Sequence, residues 1–409
     1  MAKEYKDLVV GLDIGTAKVM VVVAEVLPDG ELKLAGLGVA HSNGLKRGVV
    51  VNIDATVQSI QQALKEAELM ADCKITRVYT GITGSHIRGI NSTGMVAVKD
   101  KEVTAADVAR VVETAKAINI STDQRLLLVQ PQEFVIDGQD VREPIGMSGI
   151  RLEAKVHIVT GAQSAAENII KCVRRCGLDV DRLMLNPLAS SMSVLTDDER
   201  ELGVALVDIG AGTTDVAIFT NGAIRHTAVI PIAGDLITSD IAMALRTPTK
   251  DAEEIKIESG YAKQLLADPD VQVEVPGLGD RTPRMLSRQA LAGVIEPRVE
   301  EIFSLVQQVI RDSGYEEVLS SGIVLTGGSA VMPGMVELGE DIFLKPVRRG
   351  VPQYNSALAD MVSQPRAATV MGLLAEAGVD RQRGFKVSQK SGSVNSLMDR
   401  LKDWFVGNF

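Results

Sequence analysis

One strand–turn–strand pattern occurs twice in the chain and constrains the fold more than any other feature. The first copy, LVVGLDIGTAKVMVVVAEV, runs from Leu8 to Val26, and the second, LGVALVDIGAGTTDVAIFTNG, begins at Leu202. In each copy an apolar run rich in β-branched residues leads into an Asp-Ile-Gly turn and a second run leaves it, which is typical of a β-hairpin. Two such hairpins, one opening each half of a 409-residue chain, predict a duplicated α/β architecture with two lobes.

The residue types at both turns suit a nucleotide phosphate and its metal. Glycines let backbone N–H groups approach a phosphate, threonine hydroxyls add donors, and Lys18 can reach a phosphate as a point charge. Asp13 and Asp208 would repel phosphate alone, but they suit a Mg²⁺ ion held through its waters. The predicted phosphate-binding residues are Asp13, Gly15, Thr16, Ala17, Lys18, Asp208, Gly210, Gly212, Thr213 and Thr214.

A third glycine-rich turn, GIVLTGGSAVMPGM, follows a strand pattern and opens a short helix at Gly327 and Gly328. Either hairpin alone would be interpreted as a simple turn, because short glycine motifs are weak evidence. The three loops together favour a nucleotide site, and neither a P-loop nor a G-x-G-x-x-G motif occurs in the chain.

Bulk composition excludes several classes of protein. The net charge is −10, whereas a general nucleic-acid binder needs a basic surface, so no nucleic-acid partner is expected. Three cysteines cannot form a disulfide framework, and they indicate a reducing compartment. No segment has the form of a signal peptide or the ~20 apolar residues of a membrane span, so the body is predicted to be cytoplasmic.

In this order and spacing, DIGT, DIGAGTTD and LTGGSA resemble the two phosphate loops and the adenosine loop of the actin–Hsp70–sugar-kinase superfamily. The resemblance implies ATP and Mg²⁺ as cofactors. LNPLASSMSVL and ATVMGLLAEAG are similar to its connecting helices, whose small residues would let them cross closely at a hinge. DAEEIKIESGYA resembles the helix beside the adenosine, although a solvated charged helix is the alternative. The implied adenosine-binding residues are Glu253, Lys256, Gly260, Gly327, Gly328 and Ser329.

The position of an extra segment identifies the branch. Only residues 42–52 are available where actin and Hsp70 carry their first small subdomain, fewer than the ~50 residues of a small domain. The extra material lies instead between Gly84 and about Gly161, with a helix starting at Thr104-x-x-Asp107 and strands in RLLLVQ, EFVID and AKVHIVTG. This arrangement resembles the FtsA family, bacterial actin homologues of cell division, over essentially the whole chain.

The resemblance implies the following organisation. The first lobe core takes residues 1–83 and 162–197, the inserted subdomain 84–161, the second lobe core 198–231 and 303–380, its small subdomain 232–302, a linker 381–393 and a terminal helix 394–409.

The terminal segment SVNSLMDRLKDWFVGNF has an amphipathic helical pattern. It is too short to span a bilayer, so it is predicted to lie in the membrane interface, as FtsA tails do. Binding by one tail should be weak and should gain avidity in a polymer. Packing on the protein's own body and docking in a partner's groove are the alternatives. The predicted membrane-binding residues are Leu397, Met398, Leu401, Trp404, Phe405 and Phe409.

The family resemblance implies a self-assembling, ATP-binding protein on the cytoplasmic side of the bacterial inner membrane at the division site. Its implied partners are the C-terminal peptide of FtsZ, further copies of itself, anionic lipids and later division proteins. Arg284, Arg298 and Glu301 are the implied FtsZ-binding residues, with a solvated helix carrying an Arg298–Glu301 pair as the alternative.

Catalysis has weaker support than binding. Asn186-Pro187 stands where superfamily ATPases carry a Glu or Gln that positions water, and Asn cannot act as a general base. Hydrolysis is expected to be weak or absent, with nucleotide acting as a conformational ligand and catalytic residues unknown. An ATP-consuming, sugar-kinase-like enzyme is the alternative, whereas an Hsp70-like chaperone would need a substrate domain after Gly378.

Overall fold

Two five-stranded mixed sheets with one shared topology form the centre of the molecule in this computed structural model, which describes residues 7–382 except 29, 280 and 355–358. The strands are β1 (Leu8–Ile14), β2 (Lys18–Val26), β3 (Leu32–His41), β4 (Leu45–Lys46), β5 (Val49–Val50), β6 (Arg77–Ile82), β7 (Arg88–Ala97), β8 (Gln124–Ile136), β9 (Gln139–Val141), β10 (Arg151–Ala162), β11 (Asp179–Leu185), β12 (Val204–Ile209), β13 (Thr214–Thr220), β14 (Ala223–Ile230), β15 (Gln272–Val275), β16 (Arg284–Ser287), β17 (Ile323–Thr326) and β18 (Val347–Arg349).

The helices follow in the same numbering. They are α1 (Ile53–Ala71), α2 (Ala105–Lys116), α3 (Gln163–Arg175), α4 (Asn186–Val194), α5 (Asp197–Leu202), α6 (Gly234–Leu245), α7 (Thr249–Ser259), α8 (Arg288–Ser313), α9 (Met335–Phe343), α10 (Ala359–Val362) and α11 (Ala368–Gln382).

The duplication predicted from the two hairpins is confirmed. The first sheet has the order β11-β6-β1-β2-β3 and the second the order β14-β13-β12-β17-β18. In each, the first hairpin strand pairs antiparallel with the second and parallel with a later strand that follows a helical crossover. The carboxyl ends of β1 and β12 therefore occupy equivalent places, and they carry Asp13 and Asp208.

Capping residues mark where two helices begin, and the predicted start of α2 at Thr104 is confirmed. Asn52 accepts a hydrogen bond from the Ala55 N–H at the start of α1. Thr104 and Asp107 form a reciprocal capping box at the start of α2. One apolar face of α1 then packs on β3 and supplies Ile60, Ala63 and Ala67 to the first-lobe core.

The inserted segment forms its own four-stranded sheet, of order β7-β10-β8-β9, covered by α2. The prediction of separate strands in RLLLVQ and EFVID is wrong, because both lie in the single strand β8. Pro131 lies between them, and it is tolerated because β9 covers only Phe134–Ile136. Beside the rest of β8, on the side where β9 would lie, the described residues form no neighbouring strand. A proline there breaks no hydrogen bond between strands, although it lacks an N–H.

The inserted sheet also contacts the second lobe through a polar seam, formed by Asn91, Glu133 and His157 of the insertion with Arg225 and Thr227 of β14. The Asn91 amide donates to the Arg225 carbonyl (3.0 Å), which turns its oxygen toward His157 Nδ1 at 2.6 Å. The other ring nitrogen of His157, Nε2, lies 2.9 Å from Thr227 Oγ1. Arg225 also pairs with Glu133 at 3.1 Å. The insertion is thus held by both lobes.

The hinge is a close crossing of α4 and α11. A Cβ built on Gly372 would lie 1.7 Å from the Ala189 carbonyl oxygen, so only glycine permits this approach. The prediction that small residues let these two helices cross closely is confirmed.

Candidate functional site

The two predicted phosphate loops face each other across the cleft between the lobes. The turn after β1 is closed by a hydrogen bond from Gly15 N–H to the Lys18 carbonyl (2.9 Å), and the turn after β12 by the equivalent bond from Gly210 to Thr213 (2.9 Å). A Cβ on Gly212 would lie 2.6 Å from Thr16 Oγ1, so the loops come into direct contact. Two matched loops thus converge on one space.

Three carboxyl groups lie buried at the inner ends of the loops. Asp13, Asp208 and Asp215 are each less than 10 % exposed. Burial raises the pKa of Asp13, raises that of Asp208 to about 6, and raises that of Asp215 well above its usual value. The neighbouring Asp13 charge also raises the pKa of Asp208, so the cleft does not favour ionisation of all three groups.

Lys18 is the cation nearest to this cluster. Its Nζ lies 3.8 Å from Asp13 Oδ2, and it donates to the Arg366 carbonyl. Desolvation lowers the pKa of Lys18, although the Asp13 and Asp208 carboxylates oppose that shift. One lysine beside three acids leaves room for a further cation in the cleft.

A magnesium ion fits this donor set only through its waters. Among the residues described, no three acidic, histidine or cysteine side chains converge closely enough to ligate a metal directly. The buried carboxyls of Asp13 and Asp208 nevertheless gain from a nearby divalent charge, because it offsets the desolvation that raises their pKa values. The residues present therefore suit a hydrated Mg²⁺ ion.

Three hydroxyl groups that sequence reasoning did not place in the site hold these acids. Ser190 on α4 and Thr369 on α11 both donate to Asp208 Oδ2, Thr369 at 3.3 Å. From the first lobe, Thr83 donates to Asp215 of the second lobe. The carboxylates are thus connected to the hinge helices and across the cleft. Asp215 lies inside the DIGAGTTD motif, which was the available signal for it.

The predicted adenosine-binding residues fall into two groups. Lys256 Nζ on α7 contacts Glu253 (2.7 Å), Thr238 Oγ1 on α6 (2.8 Å) and the Gly234 carbonyl (3.2 Å). Gly260 ends α7, and its N–H bonds the Lys256 carbonyl.

The second group adjoins the second phosphate loop. Ser329 donates to the Gly210 carbonyl at 3.0 Å. Gly327 has a φ of +87°, and a Cβ there would lie 2.4 Å from Asp208 Oδ1. Gly328 begins the short 3₁₀ turn Gly328–Val331. A Cβ on Gly234 would lie 2.4 Å from Ser329 Oγ, so the start of α6 links the two groups.

Asn186, which the resemblance aligns with a water-positioning residue, is the first residue of α4. Within the described part of the chain, its Oδ1 is buried and receives no hydrogen bond. A Cβ on Gly81 would lie 2.1 Å from that oxygen, so the amide packs against the backbone of β6.

The residues expected to bind FtsZ lie in the second lobe but are partly engaged. Arg298 on α8 bonds Asp240 of α6 (2.6 and 3.1 Å) and also Glu301 one turn away. Arg284 on β16 donates to the Leu245 carbonyl. A peptide carboxylate would have to share the Arg298 guanidinium with Asp240.

The predicted membrane-binding residues of the tail lie outside the described residues, which end at 382. Within the described part of the chain, no helix combines the length and apolar character needed to cross a bilayer.

Comparisons with known proteins agree with this architecture. A family model described as "Cell division protein FtsA" matches residues 205–372, and another, "SHS2 domain inserted in FTSA", matches residues 84–160. The FtsA of Pseudomonas aeruginosa is 56% identical over 409 residues, covering 98% of each chain, and that of Escherichia coli is 46% identical over 414 residues, covering 99% of each.

Solved structures of the same fold are more distant in sequence. A PilM–PilN type IV pilus biogenesis complex covers 90% of this chain and 98% of its own, with a TM-score of 0.64 at 18% identity. An MreB 5 of Spiroplasma citri bound to AMPPNP covers 93% and 100%, with a TM-score of 0.59 at 14% identity. The two-lobed fold is therefore actin-like, and the chain belongs to the FtsA family of cell division proteins.

Proposed function

We propose that this protein binds ATP with Mg²⁺ between its lobes and acts as a self-assembling membrane adaptor for FtsZ filaments in bacterial cell division. The observation that carries the nucleotide proposal is the pair of facing glycine–threonine loops, with Lys18 and three buried carboxyls at their inner ends. The similarly folded MreB 5 of S. citri was solved with AMPPNP bound, which supports a nucleotide in the equivalent cleft.

Each group in the cleft has a distinct role. Backbone N–H groups of the loops and the hydroxyls of Thr16, Thr213 and Thr214 would donate to phosphate oxygens. Lys18 would add a positive charge to the same oxygens. Asp13 and Asp208 would hold Mg²⁺ through its waters, and the ion would supply charge neutralisation for the phosphates.

Glu253, Lys256 and Ser329 would border the adenosine. The contact of Lys256 with α6 and that of Ser329 with the Gly210 carbonyl place these residues beside the second phosphate loop. A bound nucleotide would therefore contact α6, α7 and both phosphate loops at once. It would fix the orientation of one lobe relative to the other.

Slow or absent turnover follows from Asn186. An amide oxygen accepts a hydrogen bond from water but does not take its proton near neutral pH. We therefore propose that ATP is a conformational ligand, which favours a state competent to assemble. Steady-state phosphate release distinguishes this adaptor from a sugar-kinase-like enzyme, which would turn over with a sugar acceptor.

The membrane and partner roles are supported by family membership and by the tail sequence. Residues 394–409 would lie in the inner-membrane interface, and polymerisation would multiply their weak individual affinities. Arg284, Arg298 and Glu301 would meet the FtsZ peptide, and later division proteins would meet the inserted subdomain.

Calorimetric titration with ATP and Mg²⁺ tests the nucleotide proposal. The wild-type protein should bind, and Lys18→Ala should weaken binding at least about tenfold, because it removes a charge-assisted contact of about 1.5–3 kcal/mol. Lys74→Ala is the matched control, since it removes an exposed lysine three residues after α1. Absence of binding by the wild-type protein, or equal loss in both variants, would contradict the proposed site.

A further inference from the structure

A cavity of about 350 Å³ lies at the hinge, lined by both crossing helices. We call it the hinge cavity. Met192 and Val194 of α4 and Met371 and Ala375 of α11 form its apolar walls, and Tyr354 closes one side. The Tyr354 hydroxyl bonds the Leu32 carbonyl and receives the Leu34 N–H (2.9 Å), so this wall is fixed to β3.

We propose that the hinge cavity receives the chain's own residues 394–409 when no membrane is available. The apolar residues predicted to enter lipid would then be covered by the protein body. This inference rests on the proposed amphipathic tail, but not on its affinity for lipid. It makes reversible docking on the body a resting state of the anchor.

Chain connectivity favours this occupant. Helix α11, which forms one wall, is the element that leads into the tail, and its described part ends at Gln382. Ala375 lies seven residues earlier, about 10 Å along the helix axis. Residues 383–393 form a connection of eleven residues, which can extend to about 36 Å. The tail can therefore return to the cavity, and its effective concentration there is on the order of millimolar.

Composition and charge favour it as well. The tail holds the only Trp of the chain and two of its seven Phe residues, and exposed apolar stripes of this kind need a cover in water. At the rim of the cavity, Arg348 forms two hydrogen bonds with Glu199 (2.6 and 2.7 Å), which leaves a rim without net charge. The tail likewise balances two acidic against two basic side chains between residues 394 and 409. Docking therefore meets no charge repulsion.

Docking would set the threshold for membrane binding. A tail that is docked in about ten of eleven molecules binds lipid about elevenfold more weakly than a free tail, because the competent fraction is reduced by that factor. Filling the cavity should remove this effect and strengthen vesicle binding by about the same factor.

Trp404 reports directly on the proposal, because it is the only tryptophan in the chain. Its emission and its acrylamide quenching are measured in the full-length protein without lipid, with a synthetic peptide of residues 394–409 as the exposed reference. We expect a blue shift and several-fold weaker quenching than in the peptide. Both should persist on hundredfold dilution, because the contact is within one chain.

Two substitutions fill the cavity from lining residues that are not themselves buried, Ala375→Phe on α11 and Gln353→Phe. Either should return Trp404 to peptide-like quenching and strengthen flotation on phosphatidylethanolamine–phosphatidylglycerol vesicles. Leu344→Phe, at a site that is 85 % exposed and outside the cavity lining, is the matched control and should change neither. An unchanged far-ultraviolet circular dichroism spectrum shows that each variant is folded.

Three results would overturn the proposal. Trp404 could be as accessible as in the free peptide, so that no docking occurs. It could be protected but unaffected by both cavity variants, which would assign the tail to another surface. Loss of protection on dilution would assign it to a second copy of the chain. If Trp404 is protected and responds to the cavity variants but the protein does not bind vesicles, the tail docks in the cavity and the proposed membrane anchor is refuted.

Discussion

His157 should make the seam between the inserted subdomain and the second lobe sensitive to acid. Its side chain is 1 % exposed, and burial lowers its pKa to about 4, with His226 adding to the effect. The Asn91 oxygen can only accept, so the neutral ring carries its proton on Nδ1 and accepts from Thr227 at Nε2.

The magnitude follows from linkage. The unfolded chain has a histidine pKa near 6.5, so it binds this proton more readily than the folded protein does. The contribution of neutral His157 to the free energy of unfolding is complete above pH 6.5, and it is lost as the pH falls from 6.5 toward 4. At pH 5 the loss is about 2 kcal/mol, from 1.5 units at about 1.36 kcal/mol each.

Urea denaturation of wild type and His157→Gln at pH 7.5 and pH 5 measures this loss. The free energy of unfolding should fall by about 2 kcal/mol more in the wild-type protein, because glutamine does not titrate. Other titrating groups, including His86, are present in both proteins and cancel in the difference. Equal losses in the two proteins would show that His157 is not held neutral, and would refute the assignment of the seam.

Two further predictions concern close backbone contacts. Gly372→Ala should lower the free energy of unfolding by about 1–3 kcal/mol, because its Cβ would lie 1.7 Å from the Ala189 carbonyl oxygen. Gly339→Ala is the control, because the nearest atom to its Cβ would be 3.4 Å away. Equal melting temperatures of the two variants would contradict the close helix crossing. Gly234→Ala should weaken ATP binding, because its Cβ would lie 2.4 Å from Ser329 Oγ, and the loss should be smaller when the substitution is made in a Ser329→Ala protein, which lacks that hydroxyl. An equal loss in the wild-type and Ser329→Ala backgrounds would place the clash elsewhere.

Local sequence patterns predicted much of the fold. The β-branched runs around Asp13 and Asp208 specified both hairpins, and the Thr104-x-x-Asp107 pattern specified where α2 begins. The pattern failed in β8, where two strands were predicted, one on either side of Pro131. A proline interrupts a strand only where a neighbouring strand would accept its missing N–H. Which strands are neighbours depends on the order of the whole sheet and not on the local sequence.

Contacts between distant residues were not predictable in this way. Thr83 meets Asp215 across 132 positions, and Thr369 meets Asp208 across 161. A single sequence carries no periodic signal for such pairs, because each hydroxyl is ordinary in its own segment. The pairing of Arg298 with Asp240 was missed for the same reason, since only the nearby Glu301 follows from helical spacing.

Liposome flotation measures whether the tail anchors the protein to a membrane. It compares the full-length protein with a chain stopped after Gly392, each with ATP–Mg²⁺ or without nucleotide. Only the full-length protein should float, and ATP–Mg²⁺ should strengthen flotation because assembly joins many weak anchors. Equal flotation of both chains, or of neither, would contradict the membrane anchor.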